Sequence, residues 1–573
     1  MSNYVFNQVP VIKRSRSRFD LSHSVKTAGN VGTLYPFDVQ EVYAGDTFKV
    51  KTACVSRLSS QFLRPVMDNL FLDIYYFYVP SRLLYDKWVN IFGENTQSAW
   101  ANTEDYEVPS TNGIVLSGSV GDYMGLPVGV PLENINLLPF RAFAKIYNEW
   151  FRDENNISPM HIQTGDATVS ENLASETTSL LVDWTSNNYV SVLPPKVAKL
   201  HDYFTSALPQ PQKGSAVDVP ISGFSDVPVV GSAPVAATSS ITGDIHTSGL
   251  GFRTLGGQSF VSIREGLIDF SGNSQDSKFR VSSTPASLSV DSNLVLAPSN
   301  LWASASMNNS TMTAKTSELT GSGFTVNDLR FAFQYQKMLE RDARSGTRYI
   351  EYLQSAFGVS PGDYRLQRSE FLGGRRSPIS IHQVTQTTGA NSDSSPLGEV
   401  GAFSLSNAAS RYTKGFTEPG YVIGVFCVRQ FHTYQQGVER FWNRLKRTDF
   451  YDPVFSTIGE QPVYARELYA AAPAGQVFGY NEAWADLRQR QGRITGKMRT
   501  GVENSLDVWH FGDYYSNTPT LTPGFINETP NYVDRAITVQ SSVMPQFIFD
   551  FYIQNIAYRP LPTYSVPSLI DHH

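Results

Sequence analysis

The sequence predicts a mainly β protein, a β-sandwich with long insertions between its strands and a few helices within them. Three observations carry this. Strong strand-like runs stand near both ends of the chain. Two of them alternate apolar and polar residues with the two-residue period of a half-buried strand. Helical periodicity is confined to the stretches between them, with no regular alternation of strand and helix.

Taken in order, Asp46 to Val55 (DTFKVKTACV) sets Phe48, Val50, Thr52 and Cys54 on one side and Lys49 and Lys51 on the other. Asn69 to Val79 (NLFLDIYYFYV) is nearly all apolar or aromatic, carries Asp73 and ends at Pro80. Such a run suits a strand covered on both faces. Pro139 to Asp153 places Phe140, Phe143, Ala144, Tyr147 and Phe151 along one helical face. Thr325 to Ala343 opens with Asn327 and Asp328 as cap candidates before a helical run. Arg348 to Phe357 carries Tyr349, Ile350, Leu353 and Phe357 at helical spacing and stops at Gly358. Gly420 to His432 (GYVIGVFCVRQFH) reads as another strand. Gln546 to Tyr558 alternates Phe547, Phe549, Phe551 and Ile553 with Ile548, Asp550, Tyr552 and Gln554.

One stretch differs in composition. No tyrosine occurs between Tyr203 and Tyr335, although the chain holds 29. Residues 214–323 are instead rich in Ser, Thr, Gly, Ala and Val, with short β-type runs such as VPVV and NLVLA. The proline-rich LPQPQKG, Leu208 to Gly214, marks the entry. Phe252, Phe260, Phe270, Phe279 and Trp302 give the stretch something to bury, which favours a folded subdomain over a disordered linker. The expected organisation is a basic N-terminal arm over 1–35, a body over 36–213 and 324–573, and an inserted surface subdomain over 214–323.

The 573 residues carry 46 Lys and Arg against 52 Asp and Glu, a net charge of −6, so contact with nucleic acid must come from local patches. Charged residues make up only 17% of the chain and aromatics 13%. Against roughly 25% charged in an ordinary soluble domain, that balance implies a large core or much surface hidden in interfaces. Two cysteines, Cys54 and Cys427, fit folding in a reducing cytosol. The N-terminal stretch MSNYVFNQVPVIKRSRSRF lacks the apolar segment of a signal peptide, and no run of about 18 apolar residues suggests a membrane span.

Enzyme motifs are missing. GRITGK, Gly492 to Lys497, is one residue short of a phosphate loop and continues with Met498 where Ser or Thr belongs. The nine histidines are scattered, with only His572 and His573 adjacent, and no CxxC, HExxH or GxSxG is present. No catalytic residue, metal or cofactor is expected, although two carboxylates placed in space would suffice for a glycosidase.

Basic clusters say more. Lys13, Arg14, Arg16 and Arg18 alternate with serine in KRSRSRF, as suits an extended arm whose guanidinium forks grip phosphates. Arg488, Arg490, Arg493, Lys497 and Arg499 form a second cluster with no acid between Asp486 and Glu503. Arg440, Arg444, Lys446 and Arg447 form a third, interleaved with Phe441 and Trp442, which could stack bases. For each, the competing reading is a solvated face or salt bridges between subunits.

In SRFDLSHSVKTAGNVGTL, AGDTFKV, MDNLFLDIYYFYVPSRLLYDKW, FRAFAKIYNEWFRDEN, LRFAFQYQKMLERDARSGTRYIEYLQSAFGV, EFLGG, QVTQTT, FWNRLKRTDFYDPVFSTIGEQPV, FGYNEAWADLRQRQGRITGKMR and the closing PSLIDHH, the chain resembles the major capsid proteins of the Microviridae, gokushovirus branch. These are small icosahedral single-stranded DNA bacteriophages. The order and spread of the blocks make the resemblance specific, and it covers nearly all the chain outside 214–323.

The resemblance implies an eight-stranded jelly-roll body with long inserted loops. It implies roughly sixty copies in a T=1 shell around circular single-stranded DNA. It places the chain in the virion, assembled in bacterial cytoplasm without membrane insertion. Implied partners are an internal scaffolding protein, a DNA pilot protein, a small basic DNA-binding protein, the genome and a host-cell surface receptor. Larger phage relatives join the proline-rich turn almost directly to the next helix. By position, Gly214 to Gly323 therefore resembles the gokushovirus insertion that projects at the threefold axes and contacts the host. The rival reading is a soluble carbohydrate-binding or carbohydrate-cleaving β-protein, which would stay a monomer or small oligomer.

Overall fold

The computed structural model describes residues 15–92, 107–165, 192–214, 326–344, 354–358, 367–385 and 400–564, and the short strands 229–230, 251–254, 260–264, 267–271, 278–280, 301–303 and 313–314. The chain divides into two compact units, Met1–Ser215 with Met338–His573, and Ala216–Lys337.

Ten strands build the sandwich of the first unit. They are β1 (Ser17–Asp20), β2 (His23–Gly29), β3 (Tyr35–Val42), β4 (Thr47–Leu58), β5 (Leu70–Pro80), β6 (Glu370–Ile379), β7 (Ile381–Thr385), β8 (Val400–Gly415), β9 (Gly420–Gln430) and β10 (Phe547–Arg559). One sheet runs β10–β4–β8–β7, with β1 and β2 end to end on the free edge of β10. The other runs β6–β5–β9–β3, and every pairing is antiparallel. Eight strands thus fall into two facing arrays, β2–β10–β4–β8 and β3–β9–β5–β6. Successive strands change sheet at every step but β5 to β6. This order agrees with the jelly-roll expectation.

The arm expected over 1–35 is corrected from Ser17 onward. Residues 17–29 are sheet, because the edge of β10 offers a row of backbone groups that β1 and β2 satisfy.

Between the sheets lies one core. Phe48, Val50, Cys54, Phe547, Phe549, Phe551 and Ile553 meet Phe37, Leu70, Leu72, Ile74, Tyr76, Phe426 and Val428. Phe37 stacks on Phe551 at 4.3 Å, and Phe426 lies 4.7 Å from Phe549. Thr52, a hydroxyl that β4 turns inward here, is satisfied by Tyr76 at 2.6 Å. Each phenylalanine so buried favours the fold by roughly 1.5–3 kcal/mol. Both cysteines are buried and free, and burial pushes their thiols up to about 12, so they stay protonated and inert.

Outer faces of the two sheets differ. Helix α1 (Leu138–Trp150), begun by Pro139 in its first turn, lays Phe140, Phe143, Ala144 and Tyr147 on Phe77, Val79, Ile423, Val425 and Cys427 of the β5–β9 sheet. That cover explains the continuous apolar reading of β5. Asp73, on the same outer side, is fully buried. Arg376 grips it at 2.7 Å and Arg429 at 2.9 Å. The outer face of the β10–β4–β8 sheet stays exposed along its length, as the alternation of β4 and β10 required.

Residues 81–369, between β5 and β6, hold α1 and the second unit. That unit contains an antiparallel sheet in the order 278–280, 267–271, 260–264, 251–254, 301–303, and a two-stranded pair of 229–230 with 313–314. Phe252, Val261 and Phe270 stand at neighbouring register positions. Of the two β-type runs, VPVV supplies Val229–Val230, and NLVLA lies outside the described residues. Helix α2 (Val326–Arg344) crosses the boundary at Lys337. Of the helix expected at 348–357, residues 354–357 are described and helical, and Gly358 follows with φ +69°.

Candidate nucleic-acid interface

Residues 431–546 join β9 to β10 and close around a third core of Tyr203, Phe204, Tyr434, Val463, Leu468, Phe478, Phe525 and Ile526. A short hairpin, Gln461–Tyr464 with Val477–Asn481, organises this connection. The proline-rich stretch is tied to it by paired backbone bonds between Leu208 and Tyr480, at 2.7 and 2.8 Å.

A buried ionic network fixes where the connection begins. His432 meets Asp513 through Nδ1 at 2.7 Å and Glu528 through Nε2 at 2.9 Å. Lys199 donates to Asp513 at 3.1 Å and lies 4.7 Å over the Phe525 ring, and Tyr515 donates to Asp513 at 2.9 Å. Burial alone would hold His432 neutral, but Asp513 and Glu528 outweigh it and raise the imidazole to about 9. Burial likewise pushes Asp513 up, yet Lys199 and His432 hold it at about 2. Two positive and two negative groups therefore balance one another in the buried network.

From this anchor, residues 434–442 and 486–495, with Arg499, line a cleft of about 1040 Å³. Gly437 lets the first wall lie against the 465–468 turn, since any side chain there would strike the Glu467 backbone. The fold thus brings Arg440 and Arg444 of the third basic cluster beside the second, about fifty residues away in sequence.

It also supplies the acids that a linear reading could not see. Arg493 is held by Glu439, with Nη2 at 2.8 Å from Oε2, and lies 6.0 Å from the Phe441 ring. Arg488 pairs with Glu482, and Arg444 with Asp486 while lying 5.8 Å from the Trp484 ring. Arg440 donates to Pro462 O at 2.9 Å and sits 3.8 Å from the buried Glu467. Burial raises the Glu467 carboxyl above the usual range. Arg499 donates to Gln435 O at 3.3 Å but is otherwise exposed. Arg490 and Lys497 are exposed and form no ion pair among the described residues. Of five predicted contacts in the second cluster, Arg488 and Arg493 are already neutralised. Arg490 and Arg499 line the cleft without an acidic partner among the described residues, and Lys497 is exposed outside its lining. In the arm, Arg16 is exposed beside Gly45, and Arg18 stands exposed on β1. Lys13 and Arg14 lie outside the described residues, as does most of Gly214 to Gly323.

The phosphate-loop resemblance of 492–497 has no structural support. The segment follows no strand and leads only into a three-residue turn, Gly496–Met498.

Large apolar side chains stand exposed beside the cleft. Trp442 is 69% exposed, Leu445 86% and Val454 79%, with Phe441, Phe450 and Tyr451 near them in sequence. A monomeric protein rarely leaves such a stretch uncovered.

Comparison with known proteins gives the context. The family model described as capsid protein (F protein) matches residues 7–569. Capsid protein VP1 of Chlamydia phage 1 is 36% identical, over 98% of this chain and 97% of that protein. Capsid protein VP1 of Bdellovibrio phage phiMH2K is 34% identical, over 99% and 98%. Capsid protein VP1 of Spiroplasma virus 4 is 35% identical, over 97% and 95%. The gokushovirus resemblance read from the sequence therefore stands, and the chain is a structural component of a virion, not an enzyme. A mainly β sandwich of 573 residues, matched end to end in this way, belongs to the phage capsid protein (F protein) family.

Proposed function

We propose that about sixty copies of this chain close into a T=1 shell around circular single-stranded DNA. The observation that carries this reading is the full-length family match on a chain whose 441–458 segment exposes Trp442, Leu445 and Val454. Those side chains gain cover when copies meet. In the same reading, Lys13, Arg14, Arg16 and Arg18 face the genome, with Arg490, Lys497 and Arg499 a second group of phosphate contacts. Gly214 to Gly323 projects outward and attaches to the host, supported by its sequence position between the proline-rich turn and helix α2. The scaffolding, pilot and small basic DNA-binding proteins and a host receptor complete the set of partners.

Electron microscopy of the purified chain and of a variant lacking residues 214–323, bridged by a Gly/Ser linker, tests this. Closed particles from both chains are expected, with the deleted particles adsorbing poorly to host cells. A full chain that remains a monomer or small oligomer overturns the shell. Normal adsorption of deleted particles overturns the attachment role.

A further inference from the structure

Strand register places six cations on the exposed face of the β10–β4–β8 sheet. Across the sheet, Gln554 of β10 pairs with Lys51 of β4, and Lys51 with Arg411 of β8. Ile548 pairs with Arg57, and Arg57 with Leu405. Lys49 lies two residues from Lys51 on the same side, roughly 7 Å along the strand. At the edge, Lys26 of β2 pairs with Asp550, and Arg18 of β1 with Tyr558. All six are exposed. Among the described residues, two carboxylates share the face, Asp20 and Asp550. Asp20 is engaged by Ser22, and Asp550 lies 3.9 Å from Lys26. Lys51, Arg57 and Arg411 form no ion pair among the described residues.

Aromatic surface lies among these charges. Tyr552 is 54% exposed and pairs with Ala53, itself opposite Ala409, so small residues leave the ring uncovered. Phe403 is exposed beside His382, and Lys49 sits 5.5 Å over the Tyr558 ring. In a chain of net charge −6, a flat face with a surplus of four positive charges is a local exception.

We infer that this exposed sheet face is a binding surface for single-stranded nucleic acid. Its cations meet phosphates, and Tyr552 stacks on bases. The argument for this occupant over a second copy is charge: two identical cationic faces repel, whereas a polyanion releases counterions on binding. Base stacking on sheet aromatics tolerates any sequence, which suits packaging. The inference rests on the proposed enclosure of single-stranded DNA and extends it to Lys26, Lys49, Lys51, Arg57 and Arg411.

Three full-length variants test it. One carries Lys49→Gln, Lys51→Gln, Arg57→Gln and Arg411→Gln. The second carries Tyr552→Ser. The third, a control, carries Arg375→Gln and Arg466→Gln, two exposed cations outside the basic clusters and outside this sheet face. Two quantities are measured: nucleic acid per purified particle, and affinity of unassembled chain for an oligodeoxythymidylate of about twenty nucleotides across a salt series. In the quadruple variant, nucleic acid per particle should fall at least about twofold. Its oligonucleotide binding should weaken by about tenfold or more at low salt, with the logarithmic salt slope shallower by roughly 3 for four lost phosphate contacts. Tyr552→Ser should weaken binding and leave the slope unchanged, and the control should change neither quantity. Unaltered affinity and slope in the quadruple variant overturn the inference, whether or not its particles form. Loss of assembly with unaltered oligonucleotide affinity also overturns it, in favour of a contact between copies. Failure of the unmodified chain to form particles counts against the shell, and the oligonucleotide measurement still decides the face.

Discussion

The two sheets of the sandwich share one core but differ in what their outer faces meet. In the β6–β5–β9–β3 sheet, helix α1 and its neighbours cover Phe77, Val79, Ile423 and Val425, and the buried carboxylate Asp73 is locked between two arginines. In the β10–β4–β8 sheet the outer positions are Lys49, Lys51, Arg57, Arg411, Ile548 and Tyr552, all exposed. A strand with two covered faces must be apolar at every position, and one with a single covered face only at every second. The same sandwich thus spends one sheet on stability and leaves the other free to present charge.

Substitutions to Ala along β5 and β4 sharpen the contrast most strongly. Ile74 faces the shared core and Phe77 faces α1. Ile74→Ala should cost about 2–5 kcal/mol and Phe77→Ala about 3–5 kcal/mol. In β4, Val50→Ala should be costly, whereas Lys51→Ala should stay within about 0.5 kcal/mol. Denaturant unfolding of the unassembled chain checks the series. A Phe77→Ala as mild as Lys51→Ala would break the distinction between the two sheets.

A smaller effect separates the sheets by pH. His432 follows β9 of the covered sheet and is raised from 6.5 to about 9 by Asp513 and Glu528. A folded-state value above the unfolded one contributes stability that is full below about 6.5 and is lost as pH rises through about 9. The contribution is on the order of 3 kcal/mol. Hydrogen exchange should therefore show residues around 432, 513 and 528 losing protection near pH 9, while the β4–β8 and β4–β10 pairs keep theirs. In His432→Gln this pH-dependent step should vanish. Asp513 acts in the opposite sense: held at about 2, it contributes stability above about 3.8 that fades as pH falls through 2.

How much of this was legible in the sequence follows from the kind of signal each feature leaves. Alternation in β4 and β10 and the unbroken apolar run of β5 located the sandwich and even which sheet is covered. Phe140, Phe143 and Tyr147 revealed α1 by their spacing. Residues 17–29 were misplaced in an arm because their strands exist only through pairing with β10, more than 500 positions away. The second basic cluster looked free of acids because Glu439 and Glu482 reach Arg493 and Arg488 only in the fold. The cationic sheet face escaped notice for the converse reason. One charge comes from each of β1, β2 and β8 and three from β4, and only Lys49 and Lys51 are near neighbours. A run of charge in sequence is a poor guide to net charge in space when carboxylates can arrive from elsewhere.

The most direct test of the account is a reconstruction of assembled particles at a resolution that traces strands. A closed shell should show the Lys51, Arg57, Arg411 and Tyr552 face turned to the interior against nucleic-acid density, with 441–458 covered by neighbouring copies. A shell in which that sheet face points outward, or is sealed against another copy while density contacts the α1 side, would contradict it.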